Sequence, residues 1–177
     1  MKPFIGIKRL WYGAPLTEEP STKNILTNVG SMTEVKNVHN GTWGYTQDDP
    51  STTDYVNELT GITYYRDKET DGAHTIAFTL GVYDFKDKAE LQGGKVVVQE
   101  TSDTVGWKSE AGADLVNKCI VAQTKTGHFI IFTNAAIVAK ADTQDKNIGL
   151  GVSAVAMEND TEGVSAIYFF DGTKISA

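Results

Sequence analysis

The sequence predicts a mainly β protein: an antiparallel β-sandwich or barrel with one short flanking α-helix. The last third of the chain favours this most strongly, because residues 117–171 form short β-branched and aromatic runs separated by turns. All four prolines lie at or before Pro50. Since proline removes a hydrogen-bond donor from a strand, the rest of the chain is free to form regular sheet. A helix with both start and stop signals is predicted only at residues 84–92.

The N-terminal region predicts two strands separated by long polar segments. Residues 4–12 alternate loosely and are predicted as a strand, and residues 32–39 as a weaker one. Residues 13–30 are polar and contain proline, which predicts a long loop or arm. Residues 39–53 are rich in turn formers and predict a second long loop. Loops of this length are usually functional.

The next segment predicts a hairpin. Residues 54–67 are aromatic and β-branched, and Asp71-Gly72 is a strong turn signal. Residues 75–80 then alternate cleanly. We expect the runs at 54–67 and 75–80 to pair, with three alternate residues of the second run facing the core: Ile76, Phe78 and Leu80.

The predicted helix has recognisable ends. Asp84 is a residue type that caps a helix N-terminus, and Asp87 adds negative charge to the first turn. Gly93-Gly94 ends the segment. A helix of this length is marginal alone, so we expect it to pack on the sheet.

The C-terminal half predicts a second hairpin and further strands. Residues 95–99 are predicted as a strand, and residues 100–112 as a polar loop. Residues 119–124 and 128–133 are two β runs separated by a short turn that contains Gly127, which indicates a hairpin. Three β runs follow, at residues 136–139, 147–157 and 163–170.

Length and charge limit the class of protein. At 177 residues, the chain is predicted to form a single domain, residues 1–177. Its 16 basic and 23 acidic residues give a net charge of -7, which disfavours tight binding to nucleic-acid backbones. The N-terminus lacks the apolar stretch of a signal peptide, so synthesis in the cytoplasm is expected. Membrane insertion is not expected, because no run is apolar for long enough.

No motif predicts catalysis, a cofactor or a metal, so we expect the protein not to be an enzyme. The three histidines lack partners at metal-ligand spacing and are predicted at the surface or in loops. Gly149-Leu150-Gly151 continues as a strand, which favours close packing over nucleotide binding. The acidic residues Asp142 and Asp145 are expected in a solvated turn. The single cysteine, Cys119, is expected to be a small buried residue.

Aromatic residues in the predicted loops are the candidate contact residues. Trp43 and Tyr45 lie in the second long loop, and Trp107 lies in the polar loop at 100–112. Tryptophan in a loop either folds back over the core or anchors a protein–protein contact, where Trp and Tyr are enriched. Together with Asp48 and Asp49, these residues are the candidates for contacts between subunits.

The order of these segments resembles the major tail tube proteins of tailed bacteriophages, and more distantly the ring-forming tube proteins of type VI secretion and related injection systems. The resemblance covers about residues 50–171 and depends on order, with no single diagnostic motif. The segments that carry it are residues 60–66, the strand 75–80, the short helix within 84–94, and the closing block 146–155 with Tyr168-Phe169-Phe170-Asp171.

The resemblance implies a structural subunit of a virion tail. Such subunits form rings, commonly hexamers, which stack into a hollow tube alongside other tail proteins. Neighbouring subunits would join strands at their sheet edges, and the loops at 13–30 and 39–53 would bridge adjacent rings. DNA would pass through the lumen without specific binding, and an acidic lumen would repel its phosphates.

Two other classes remain open. A non-catalytic β-sandwich binding or adhesion module for a carbohydrate or protein ligand could use Trp43, Tyr45 and Trp107 as stacking platforms. An enzyme on a β-barrel scaffold is the third class, although no motif supports it.

Overall fold

The computed structural model describes residues 2–99, 103–112 and 115–175, and in these ranges the protein is mainly β with antiparallel sheets, as predicted. Its strands are β1 (Arg9–Gly13), β2 (Thr33–Glu34), β3 (Gly44–Gln47), β4 (Thr52–Val56), β5 (Thr63–Lys68), β6 (His74–Leu80), β7 (Lys95–Val98), β8 (Thr104–Lys108), β9 (Val116–Gln123), β10 (Phe129–Gln144), β11 (Asn147–Ala156) and β12 (Ile167–Phe170). Its helices are α1 (Ile25–Gly30), α2 (Phe85–Gln92) and a final 3-10 turn (Gly172–Lys174).

The main sheet has eight strands in the order β2-β1-β9-β10-β11-β6-β3, with β12 beside β10. The long strand β10 pairs with β12 through residues 129–132 and with β11 through residues 135–144. Between these two parts, the pairing of β10 with β9 shifts register. A β-bulge at this point bends a strand, which lets one long strand serve two regions of the sheet.

Alternate residues of the central strands face two different apolar clusters. In β9, Ile120 belongs to the larger cluster, which we call the main cluster and which spans β1, β9, β10, β11, β6 and α2. Its neighbours Cys119 and Val121 belong to the smaller cluster, which Ile25 of α1 covers from the other side. Both faces of β9 are therefore buried, as the period-two alternation of a strand requires when both faces pack.

Residues 35–42 connect the two ends of the curved sheet. The Val35 N–H donates to the Leu10 carbonyl beside β1 at 2.8 Å, and the His39 N–H donates to the Thr79 carbonyl of β6 at 2.7 Å. β1 and β6 lie four positions apart in the sheet order. The sheet must therefore curl around the larger cluster, which gives the fold its barrel-like form.

The helix α2 confirms the prediction from its end signals. The Asp84 carboxylate accepts hydrogen bonds from the backbone N–H groups of Lys86 and Asp87, both at 2.8 Å. Leu91 is fully buried against the main cluster. The Tyr12 hydroxyl donates to Asp87 at 2.7 Å, and burial together with this carboxylate raises the pKa of Tyr12. Helix α2 is thus fixed to the sheet by both apolar and polar contacts.

Several predicted loops contain regular structure. The segment 13–30 includes α1, and the segment 39–53 includes β3 and the first residues of β4. In the segment 100–112, residues 103–112 contain β8, while residues 100–102 lie outside the described residues. Conversely, the predicted strands at 4–12, 32–39 and 163–170 are shorter than expected, at Arg9–Gly13, Thr33–Glu34 and Ile167–Phe170.

A further prediction is wrong, and the prediction for His128 is met only in part, because this residue lies in the β9–β10 connection but is buried. The run 54–67 does not pair with β6; it folds on itself as the β4–β5 hairpin, and β6 pairs with β11 and β3. The reason is that β6 buries Ile76 and Phe78, whereas every residue of β5 is exposed. His128, predicted at the surface or in a loop, is fully buried.

Candidate assembly surface

The β4–β5 hairpin is a separate two-stranded sheet. Each of its strands is hydrogen-bonded only to the other, among the residues that the structure describes. Across the hairpin, Asp54 and Arg66 form a bidentate ion pair with N–O distances of 2.5 and 2.8 Å. Tyr55 lies opposite Tyr65. A lone hairpin is marginally stable in water. These internal pairs hold together a hairpin that the main sheet does not support.

The tip of the hairpin exposes large apolar side chains. The Asn57 N–H donates to the Ile62 carbonyl at 2.9 Å, and Gly61 takes a φ of +67° that closes the turn. Leu59 is 95% exposed, Ile62 67% and Tyr64 70%. Contiguous exposed apolar groups at one place on a surface typically mark an interaction site. We define this candidate surface, the hairpin tip, by Val56, Leu59, Ile62 and Tyr64.

Asp48 and Asp49 lie between β3 and β4, at the base of the β4–β5 hairpin. The Asp48 N–H donates to the Ala73 carbonyl at 2.9 Å, and both carboxylates are exposed. A Cβ at Gly72 would overlap the Asp48 carbonyl oxygen, so the two chain segments approach closely here. Backbone contacts therefore fix the base of the hairpin, and the two carboxylates beside it are exposed to solvent.

Tyr45 packs inside its own chain. Its hydroxyl lies 2.5 Å from His74 Nδ1, and its ring contacts the rings of Phe132 and Phe169 at 6.2 and 5.7 Å. Burial raises the pKa of Tyr45. The neighbouring Trp43 is also partly buried against the main cluster. Tyr45 thus contacts Phe169 of β12, and both Trp43 and Tyr45 are partly buried by their own chain.

Trp107 is likewise engaged within the chain. Its indole N–H donates to the Gly93 carbonyl at the end of α2, at 2.8 Å, and the Lys88 ammonium lies 4.3 Å from the centre of its ring. These contacts attach the β7–β8 hairpin to α2. Trp43, Tyr45 and Trp107 therefore serve their own fold, and the structure brings none of them to the hairpin tip.

The residues of the hairpin tip were missed in the sequence. The sequence did contain a signal for a turn at this place. If the run 54–67 were one strand, each of its two faces would mix polar and apolar side chains, and Gly61 lies near its centre. A run of this kind cannot supply a buried strand, and its glycine favours a turn within it. Leu59, Ile62 and Tyr64 then fall at and beside that turn.

A shallow groove of about 660 Å³ crosses the open face of β6, β10 and β11. It includes Lys140 and Asp142, whose carboxylate accepts from the Thr79 hydroxyl at 2.7 Å and from the Gln144 amide at 2.9 Å. These two hydrogen bonds lower the pKa of Asp142. These two hydrogen bonds hold the Asp142 carboxylate in place between β6 and β10.

The described residues do not place three metal-ligating side chains together at any point. No helix in this part of the chain has the length and apolar character needed to cross a membrane. Neither the protein-family models nor the curated proteins contain a match to this sequence.

Proposed function

We propose that this protein is a self-assembling structural subunit, of the kind that forms the tube of a phage tail or of a phage-derived injection particle. The observation that carries the proposal is the isolated β4–β5 hairpin with its exposed tip. Burying Leu59 and Ile62 against another subunit would stabilise an assembly by roughly 1.5–3 kcal/mol for each side chain. In such a tube, the hairpin tip contacts a neighbouring subunit.

The main sheet offers a second means of association. It ends at β2 on one side and β3 on the other, so each of these strands has one unpaired edge within the described residues. Unpaired N–H and C=O groups at an edge pair readily with a strand of another chain. Repetition of one such contact around a ring gives the closed, heterologous geometry that a tube needs.

The charge of the chain is compatible with a conduit. A net charge of -7 on each subunit makes an assembled tube strongly acidic as a whole. An acidic wall repels phosphate groups and keeps passing DNA from binding. The proposed cargo is therefore DNA or a protein effector in transit, without a specific binding site.

The hairpin tip is tested by a double variant, Leu59→Ser with Ile62→Ser. Both side chains are exposed, so the subunit should fold normally while it loses the apolar contact. Light scattering over a concentration series should show growth in mass for the wild type and a constant single-chain mass for the variant. The matched control is Val82→Ser, which removes an equally exposed apolar side chain, 74% exposed, outside the hairpin. Association of the double variant at the wild-type level contradicts the proposed role of the tip.

A binding module is the second candidate, favoured by the exposed rings of Tyr64 and Tyr65, 70% and 55% exposed. Exposed aromatic rings can stack on sugars. Tyrosine fluorescence is masked by tryptophan, so the test is an NMR titration of the hairpin with a glycan panel. Saturable shifts confined to the hairpin favour a binding module, and a flat response leaves self-assembly as the role of this surface.

A further inference from the structure

Residues 2–8, which we call the strap, lie across the turn between β9 and β10. They form no strand, yet the turn donates hydrogen bonds to three backbone carbonyls of the strap. The pairs are His128 Nε2 to Lys2 O at 2.8 Å, Thr126 Oγ1 to Pro3 O at 2.7 Å and the Lys125 N–H to Ile5 O at 3.0 Å. The strap is thus bound mainly through its backbone, in the way that an extended peptide is bound.

Phe4 supplies the specific side-chain contact. Its ring lies against the His128 ring, with centroids 4.7 Å apart, and meets the Phe169 ring edge-on at 5.5 Å. The side chains of Lys2, Pro3 and Ile5 on either side are exposed or half-exposed. One aromatic ring and three carbonyls therefore define what the site recognises.

His128 forms the rigid base of this site. It is fully buried, and its Nδ1 accepts the Gly172 N–H at 3.2 Å. Because the Lys2 carbonyl can only accept, Nε2 must carry the proton. An Asp171 carboxylate oxygen also lies 3.3 Å from Nδ1, and these contacts on both sides of the ring fix its orientation. The residues that receive the strap come from the β9–β10 turn, β12 and the C-terminal 3-10 turn.

A glycine joins the strap to the sheet. Gly6 has a φ of +56°, and the regular pairing of the chain resumes when the Lys8 N–H donates to the Gln123 carbonyl at 2.7 Å. A change at Gly6 alone would redirect Lys2–Ile5 away from their own turn. The hydrogen bonds to the carbonyls of Lys2, Pro3 and Ile5 all come from the β9–β10 turn, so an identical segment from another copy would accept the same hydrogen bonds.

We propose that the site around His128 is a peptide-binding site, and that its second ligand is the N-terminal segment of another copy of this chain. The strap is then exchangeable between subunits, in addition to the contacts of the hairpin tip. The peptide site does not require that the protein assembles into tubes.

The first test uses a synthetic peptide of residues 1–8 and the full-length Phe4→Ala variant, whose own strap binds weakly. The readout is the imidazole proton signal of His128, which the Phe4 ring shifts by its ring current. We expect saturable binding that restores the wild-type signal, with about tenfold weaker binding to the wild type because its own strap competes. A peptide with alanine in place of its phenylalanine should bind about tenfold more weakly. Absence of saturable binding, or equal binding of both peptides, overturns the peptide site.

The second test addresses exchange between copies and does not remove Phe4. In Gly6→Val, a β-branched residue must take a positive φ, which disfavours the closed joint by about tenfold. We expect sedimentation equilibrium to show a larger dimer fraction than in the wild type, and the free peptide of residues 1–8 should reduce it. The control is Gly41→Val, a glycine with a φ of +80° in an open loop. Peptide binding without dimers in Gly6→Val supports the site and overturns the exchange.

Discussion

Tyr55 and Tyr65 face each other across the β4–β5 hairpin, with their ring centroids 5.7 Å apart. The two rings are 44% and 55% exposed, so they stabilise the hairpin without entering the core of the chain. A cross-strand aromatic pair of this kind gives a projecting hairpin enough order to present its tip. The surface that the proposed assembly needs is therefore preformed in the single subunit.

Removal of one member of this pair should loosen the hairpin alone. We expect Tyr65→Ala to destabilise it by about 1 kcal/mol, which speeds amide hydrogen exchange in β4 and β5 roughly fivefold. The melting temperature of the main sheet should not change, because the hairpin is a separate sheet. Tyr64→Ala, on the other face of the same strand, is the control and should have a smaller effect on exchange. Equal effects of the two variants would mean that the ring pair is unimportant.

The approach of Gly172 to Gly127 predicts a strong substitution effect. A Cβ at Gly172 would overlap the Gly127 carbonyl oxygen, a backbone atom that cannot rotate away. We expect Gly172→Ala to lower the free energy of unfolding by about 2 kcal/mol in urea denaturation. The control, Gly44→Ala in β3, meets no atom within 4 Å and should cost less than about 0.5 kcal/mol. Equal stabilities for the two variants contradict the close approach.

Asp171 should titrate at unusually low pH. Its carboxylate accepts from the Thr173 hydroxyl at 2.8 Å and from the Thr173 N–H at 3.1 Å, and these bonds lower its pKa below the ordinary value of 3.8. The stability that it contributes is complete above pH 3.8 and is lost as the pH falls through the lower folded-state pKa. Thr173→Val should raise this pKa towards 3.8, so the stability that is lost on acidification becomes smaller and its loss is complete at a higher pH.

Carbon NMR titration of the Asp171 carboxyl, with melting temperatures measured from neutral to acid pH, checks this expectation. Thr173→Ser keeps the hydroxyl and should titrate like the wild type. If the Asp171 carboxyl has the same pKa in Thr173→Val and in the wild type, the hydrogen bond from the Thr173 hydroxyl does not lower that pKa.

The thiol of Cys119 should be inert in the folded protein. It is fully buried in β9, and burial raises its pKa to about 12. Since the thiolate is the reactive form, a thiol reagent at neutral pH should label the protein only as it unfolds. Labelling rates measured across a urea series should follow the unfolded fraction. Native protein that reacts as fast as the unfolded chain contradicts this placement of β9.

Local signals predicted the elements whose ends are encoded in neighbouring residues. Asp84 and Gly93 flank α2 and were sufficient to locate it, and Gly127 marked the turn between β9 and β10. α1 was missed because it has six residues and Asn24 at its start makes no side-chain cap to the helix. Its stability comes from Ile25 in the smaller cluster, a tertiary contact that no local pattern reveals.

Strand partners and burial were predicted less well because they depend on distant residues. Gly72 has a positive φ of +77°, yet β6 pairs with β11 and β3 since its apolar face belongs to the main cluster. His128 was predicted at the surface or in a loop; it lies in the β9–β10 connection, but the strap and the 3-10 turn bury it. Trp43 and Tyr45 were predicted as candidates for contacts between subunits, whereas the structure packs both partly against the main cluster of their own chain.

The central claim is that subunits of this protein join into rings and tubes. Negative-stain electron microscopy of concentrated wild-type protein, with the Leu59→Ser and Ile62→Ser double variant beside it, tests this most directly. We expect rings or hollow tubes for the wild type and dispersed single chains for the variant. Wild-type fields that hold only single chains at every concentration, or rings formed equally well by the variant, would contradict it.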